Sequence, residues 1–141
     1  MKRVVLDTDV VVAAMRSPTG ASAALLGEAL KSRLVLLASV PLFVEYEAKC
    51  TAPEHWTAAG LTRKQSQIFI DGIAALIEPV KTHYLWRPML HDPNDEMVLE
   101  AAVNGRADAI VTFNLKDYGA APATFNIEMM KPANAIRRLK Q

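Results

Sequence analysis

Short β-branched runs alternate along this chain with longer stretches whose apolar positions recur every three or four residues. Val4 to Leu6 suits a strand buried on both faces, and Ser17-Pro18 restarts the chain before a helical stretch from about Ala21 to Lys31. Arg33 to Ala38 reads as a second strand. Ser39 is a good N-cap with Pro41 close behind it, and it opens a helix through Phe43, Glu45 and Cys50 that should stop before Pro53. Thr62 and Gln65 form a capping box for a long helix ending near Glu78-Pro79. Val80 to Leu85 is a third candidate strand. Asp92-Pro93 opens a helix through Met97, Leu99 and Ala102, closed by Asn104-Gly105, a pair expected to supply a left-handed position. Ala109 to Thr112 is a fourth strand, followed by the polar loop NLKDYG. Phe125 to Met129 is a candidate last strand, and Asn134 to Lys140 a basic C-terminal helix. This alternation predicts an α/β fold: a mostly parallel sheet of four to five strands, flanked by helices on both faces, in a single domain over residues 1–141.

Composition narrows the partners. Of 141 residues 51% are hydrophobic and 22% charged, which suits one globular domain with a real core. A net charge of +1 excludes binding nucleic acid by bulk positive charge, so an anionic partner must be held locally. The single cysteine, Cys50, excludes an internal disulfide framework and thiolate-rich metal sites, and is expected to be a small buried residue. No apolar run approaches the roughly 18 residues of a membrane span. With no secretory pattern behind Lys2-Arg3, the expected location is the cytoplasm.

The acids change the picture most. Asp7 ends the first strand, Glu45 lies in the helix after the second, Asp92 and Asp95 open the helix after the third, and Asp117 lies in the loop after the fourth. All therefore fall at the carboxyl edge of the sheet, where α/β folds bind ligands. Asp95 shares its helical side with Leu99 and Ala102, so it is expected to point toward the core. Glu45 breaks an apolar series in the same way, although by periodicity either Glu45 or Glu47 serves as the inward acid. Carboxylates converging at low dielectric repel one another and take up protons unless a divalent cation neutralises them. Oxygen-only ligands point to Mg²⁺ or Mn²⁺ rather than zinc, and such an ion would activate water against phosphorus.

With these residues in place, the chain resembles the PIN-domain nucleases, especially the VapC-like toxins of bacterial toxin–antitoxin pairs. The likeness rests on VVLDTDV, SVPLFVEYE, HDPNDEMVLEAA and IVTFNLKDY, in that order over nearly the whole length. The resemblance implies a three-layer α/β/α fold and an endoribonuclease that uses Mg²⁺ or Mn²⁺ and leaves a 5′-phosphate and a 3′-hydroxyl. It also implies a homodimer blocked by a cognate antitoxin, and assigns Asp7, Glu45, Asp95 and Asp117 as metal-binding, catalytic acids. Glu45 is thereby chosen over Glu47 by family pattern. Asp9 stands where many relatives carry Asn or Ser, which adds charge; Asn114 stands where some carry another acid, which removes it.

Around these acids, Thr8, Asp9, Asp92, Thr112 and Asn114 are expected to support the site. Asp92 before Pro93 is first an N-cap. Asp9 positions Asp7 or caps the next turn, Thr8 and Thr112 are placed to hydrogen-bond a carboxylate, and Asn114 to orient a ligand or water; local turn chemistry accounts for them equally well. His55, His83 and His91 are left out of the site. Arg63-Lys64 and Arg137-Arg138-Lys140 read as solvated faces; Trp56, Tyr84, Trp86 and Tyr118 are candidates for stacking on unpaired bases, with packing the plainer role for the two tryptophans. Two rival functions remain. DTDVV also resembles the nucleophile loop of haloacid-dehalogenase-type phosphatases, with Asp7 as nucleophile and Asp9 as general acid, though HDPNDE precedes Thr112, against that family's order. The other rival is a non-catalytic module gripping RNA or an antitoxin.

Overall fold

A computed structural model describes residues 2–82 and 89–141. Five strands, β1 (Arg3–Leu6), β2 (Val35–Ala38), β3 (Ile77–Pro79), β4 (Ala109–Val111) and β5 (Glu128–Met130), form one sheet in the order β3-β2-β1-β4-β5. Every pairing is parallel, with Val4 opposite Leu36 on one side and Ala109 on the other. The central strands are apolar throughout because both their faces are covered: Val4, Val5, Ala109, Ile110 and Val111 have no exposed surface.

The helices are α1 (Thr8–Arg16), α2 (Ala21–Leu30), α3 (Val40–Cys50), α4 (Pro53–Ala58), α5 (Arg63–Leu76), α6 (Pro93–Asn104) and α7 (Pro132–Leu139). The connections from β1 to β2 to β3 step toward one edge, and the connection through α6 returns over β2 and β1 to β4. Right-handed crossovers therefore put α6 on the face opposite α1 to α5, giving the three-layer α/β/α arrangement. The order in which strands are added reverses between β1 and β4, so a crevice opens at the carboxyl ends of those two parallel strands. No single helix among the described residues is long and apolar enough to cross a membrane.

Several elements differ from the sequence expectation, each for a physical reason. Residues 8–16 were assigned no element, yet they form α1, with Val10, Val11, Val12, Ala14 and Met15 buried. Covered nearly all round, this helix has no broad polar stripe to betray its period. The short α4, opened by Pro53, was also unassigned. The third strand is Ile77–Pro79 rather than Val80 to Leu85, of which residues 83–85 lie outside the described residues. Helix α5 stops at Leu76, and Ile77 turns extended at φ −79°, ψ 133°. Pro79 is tolerated because β3 pairs only with β2 and sits at the sheet edge. The last strand is Glu128–Met130, because Pro122–Phe125 coils into a 3₁₀ turn.

The Asn104-Gly105 pair supplies no left-handed position: Gly105 has φ −84°, and Arg106 takes φ 54° instead. Gly105 is needed for close approach, since a Cβ there would lie 2.8 Å from Val80 Cγ2 and 2.9 Å from the Ala101 carbonyl oxygen. Gly105→Ala is expected to cost about 1–3 kcal/mol by overpacking. A thermal melt checks this, and an unchanged midpoint would contradict the close packing of α6 against β2 and Val80.

Candidate active site

Asp7 follows β1 directly and stands at the crevice between β1 and β4, where its amide donates to the Val111 carbonyl at 2.9 Å. Its side chain caps α1, with Oδ1 accepting from the Thr8 amide at 2.7 Å. Oδ2 accepts from two buried hydroxyls, Thr112 Oγ1 at 2.8 Å and Tyr118 Oη at 2.9 Å. Thr112 in turn accepts from the Asn114 amide at 3.0 Å. The carboxylate is thus fixed by donors from β1's own helix and from the segment after β4, leaving Oδ1 with spare acceptor capacity.

In the first turn of α1, Asp9 clasps the same segment: its Oδ2 accepts from the Phe113 amide at 3.1 Å and Asn114 Nδ2 at 3.2 Å. Its Oδ1 and the Thr8 hydroxyl are buried without a hydrogen-bond partner among the described residues. Burial, and then the Asp7 charge, push the Asp9 carboxyl up to about 6.

Across the crevice, Asp92 caps α6 through the Asn94 amide at 2.8 Å, so its expected capping role is realised. Asp95 lies inward, 8% exposed, on the side of α6 that also buries Leu99 and Ala102. Burial lifts its carboxyl to about 6, reinforced by the charges of Asp7, Asp92 and Asp117. Asp117 sits on the 3₁₀ turn Leu115–Tyr118. Glu45 reaches the same cavity from α3, whereas Glu47 does not.

Together these residues line a cavity of about 630 Å³ that contains Asp7, Glu45, Asp95 and Asp117 with Thr8, Asp9, Asp92 and Asn114. Thr112 lies behind the wall, fully buried, as a donor to Asp7. Among the described residues no three acid, imidazole or thiol side chains stand close enough together, as placed, to hold a metal ion. The wall nonetheless fits a hard divalent cation. The side chains gathered there offer carboxylate and hydroxyl oxygens, two buried oxygens lack partners among the described residues, and burial together with the neighbouring carboxylate charges raises two pKa values. Magnesium characteristically keeps several waters and takes one or two carboxylates, so an open wall suits it better than a cage.

Sequence reasoning misplaced Tyr118 and His55, while the packing role expected of Trp56 is realised. Tyr118 has no exposed surface and cannot stack on a base; it is instead the second hydroxyl on Asp7. Burial and the Asp7 and Asp95 charges raise its pKa far above the ordinary tyrosine range, so it stays a donor. His55, set aside from sequence, lines the cavity together with Arg16 and Lys49. Trp56 packs against the core and donates to the Thr51 carbonyl at 3.2 Å, while Tyr84, Trp86 and His83 lie outside the described residues.

A parallel sheet of this order, with acids gathered at its point of reversal, defines a PIN-like fold, and the family model described as "PIN domain" matches residues 3–116. The chain belongs to the PIN domain family. Among solved structures it is similar to a chain of VapBC2 from Rickettsia felis bound to a DNA fragment from their promoter. That match has a TM-score of 0.62 and 16% identity, and covers 90% of this chain and 96% of that one. No curated protein matches in a sequence comparison.

Proposed function

We propose that this protein is a metal-dependent endoribonuclease, the toxin of a toxin–antitoxin pair, in which Asp7, Glu45, Asp95 and Asp117 hold Mg²⁺ or Mn²⁺. The observation that carries the proposal is the convergence of Asp7, Asp92, Asp95 and Asp117 at one crevice, close enough for their charges to act on Asp95. When bound, such an ion supplies charge neutralisation and Lewis acidity toward a phosphoryl oxygen and water.

The chain's own residues do the positioning. Thr112 and Tyr118 keep the Asp7 carboxylate in one orientation, and Asp9 holds the Phe113–Asn114 backbone beside it. Asp95, buried in the cavity wall, is an acid whose ionised form gains from a cation, because its surroundings otherwise favour the proton. Family membership favours this reading over the phosphatase.

The toxin role draws on the sequence resemblance and on the shared fold with a VapBC2 chain; an antitoxin partner is proposed on the same ground. A homodimer is proposed as well, supported by the large exposed apolar side chains Val40 and Val44 on α3 and Ile68 on α5.

The test is incubation of wild type and Asp7→Asn with labelled tRNA and mRNA, with Mn²⁺ and with EDTA. Wild type is expected to cut only with metal, leaving 5′-phosphate ends, while the folded variant does not cut. Undiminished cutting by Asp7→Asn, or by wild type in EDTA, would remove Asp7 or the metal from the mechanism.

A further inference from the structure

The cavity has two ends of opposite sign. Helix α1 lines it with Asp9, Val12, Ala13 and Arg16, spaced by three, four and seven residues along one face. Helix α3 does the same with Glu45 and Lys49, one turn apart. Both helices therefore carry the wall from acids near the sheet to cations at their far ends, and the imidazole of His55 on α4 lines the same cavity.

Neither Arg16 nor Lys49 makes an ion pair with any acid among the described residues, whereas Arg3, Arg33 and Arg138 are each paired. His55 Nδ1 has no hydrogen-bond partner among the described residues, while its Nε2 lies 3.8 Å from Glu54 Oε1. Asp9 and Arg16 are separated by about 10 Å along α1 at 1.5 Å per residue. That length takes roughly three nucleotides of a stacked strand at about 3.4 Å each.

We propose that Arg16 and Lys49, with His55 beside them, form a backbone-phosphate subsite for a single RNA strand whose scissile phosphate lies at the acidic end. This deepens the nuclease reading and rests on it. The charges set the polarity of the cleft. An acidic wall repels a phosphodiester strand, and two unpaired cations a few nucleotides away hold that strand in register without reading its bases. Both side chains are exposed and helical, so replacing them with alanine leaves the core untouched.

The test is fluorescence anisotropy with a labelled single-stranded RNA oligonucleotide in EDTA, where no metal-dependent cutting intervenes, over a series of NaCl concentrations. Losing two phosphate contacts is expected to lower the slope of log K against log salt by about 1.4, at about 0.7 per phosphate on a single strand. R16A/K49A should bind about tenfold more weakly, and R63A/K64A, altered outside the cavity, should match wild type. An R16A/K49A slope equal to wild type, an equal loss in R63A/K64A, or no binding by wild type would overturn the subsite. So would an oligoglutamate of matching charge that displaces the RNA with the same dependence on Arg16 and Lys49, which would assign the cations to an acidic protein segment. Retained dependence on Arg16 and Lys49 in a wild type that cuts no RNA would support the subsite and sink the nuclease reading alone.

Discussion

Asp95→Asn is expected to lower RNA cleavage at least about 10³-fold, the scale of losing a preorganised group that acts on transition-state charge, while making the metal-free protein more stable. The two effects have one cause. Burial, and after it the charges of Asp7, Asp92 and Asp117, lift the Asp95 carboxyl from 3.8 to about 6. A raised carboxyl means that the folded state binds more protons than the unfolded state between those two values, so stability falls as pH rises through that window. Below about 4 the penalty is absent; above about 6 it is complete.

A shift of that size carries at most about 3 kcal/mol, which water in the open cavity screens to roughly 1–2 kcal/mol. Asp95→Asn should therefore raise the metal-free Tm by about 3–6 °C at pH 7 and leave it unchanged at pH 4. Thermal melts in EDTA at the two pH values check this. A Tm lowered equally at both would show that Asp95 is a structural anchor rather than a repelled acid.

Tyr118→Phe has the next largest expected effect. The variant removes one hydroxyl that donates to Asp7 Oδ2 at 2.9 Å and changes nothing else in a fully buried ring. Residues that orient a metal-binding carboxylate typically contribute 10- to 100-fold to metal affinity or activity, and a loss of that size is expected in cleavage at fixed Mn²⁺. Stability should fall by only about 1 kcal/mol, because Thr112 still donates to the same oxygen. Wild-type Mn²⁺ dependence in this variant would mean that the Thr112 hydroxyl alone suffices to orient Asp7.

These residues also show how far the chain could be read before its fold was known. Asp95 was legible, because Leu99 and Ala102 stand at helical spacings from it and a capped helix carries all three to the core. The end of β1 was legible too, since a buried β-branched run stops abruptly at an acid. Glu45 and Glu47 were not separable by period; only the packing of α3 decides that Glu45 faces the cavity.

Other elements were hidden for physical reasons. Helix α1 is covered too completely to leave an amphipathic trace, so the route of its wall from Asp9 to Arg16 was invisible. Tyr118 looked like an exposed loop aromatic, yet the 3₁₀ turn that exposes Asp117 buries its neighbour. A single turn of helix in a polar loop has no periodicity to detect. Arg106, not the pair before it, takes the left-handed position because Gly105 is held at ordinary helical angles under Val80.

The most direct test of the central claim, that mutually repelling acids at this crevice capture a divalent cation, is a calorimetric titration of the full chain with Mn²⁺ at pH 7, beside Asp95→Asn. Saturable uptake by wild type that is strongly weakened in the variant is the predicted result. No uptake by wild type, or equal uptake by both, would contradict it.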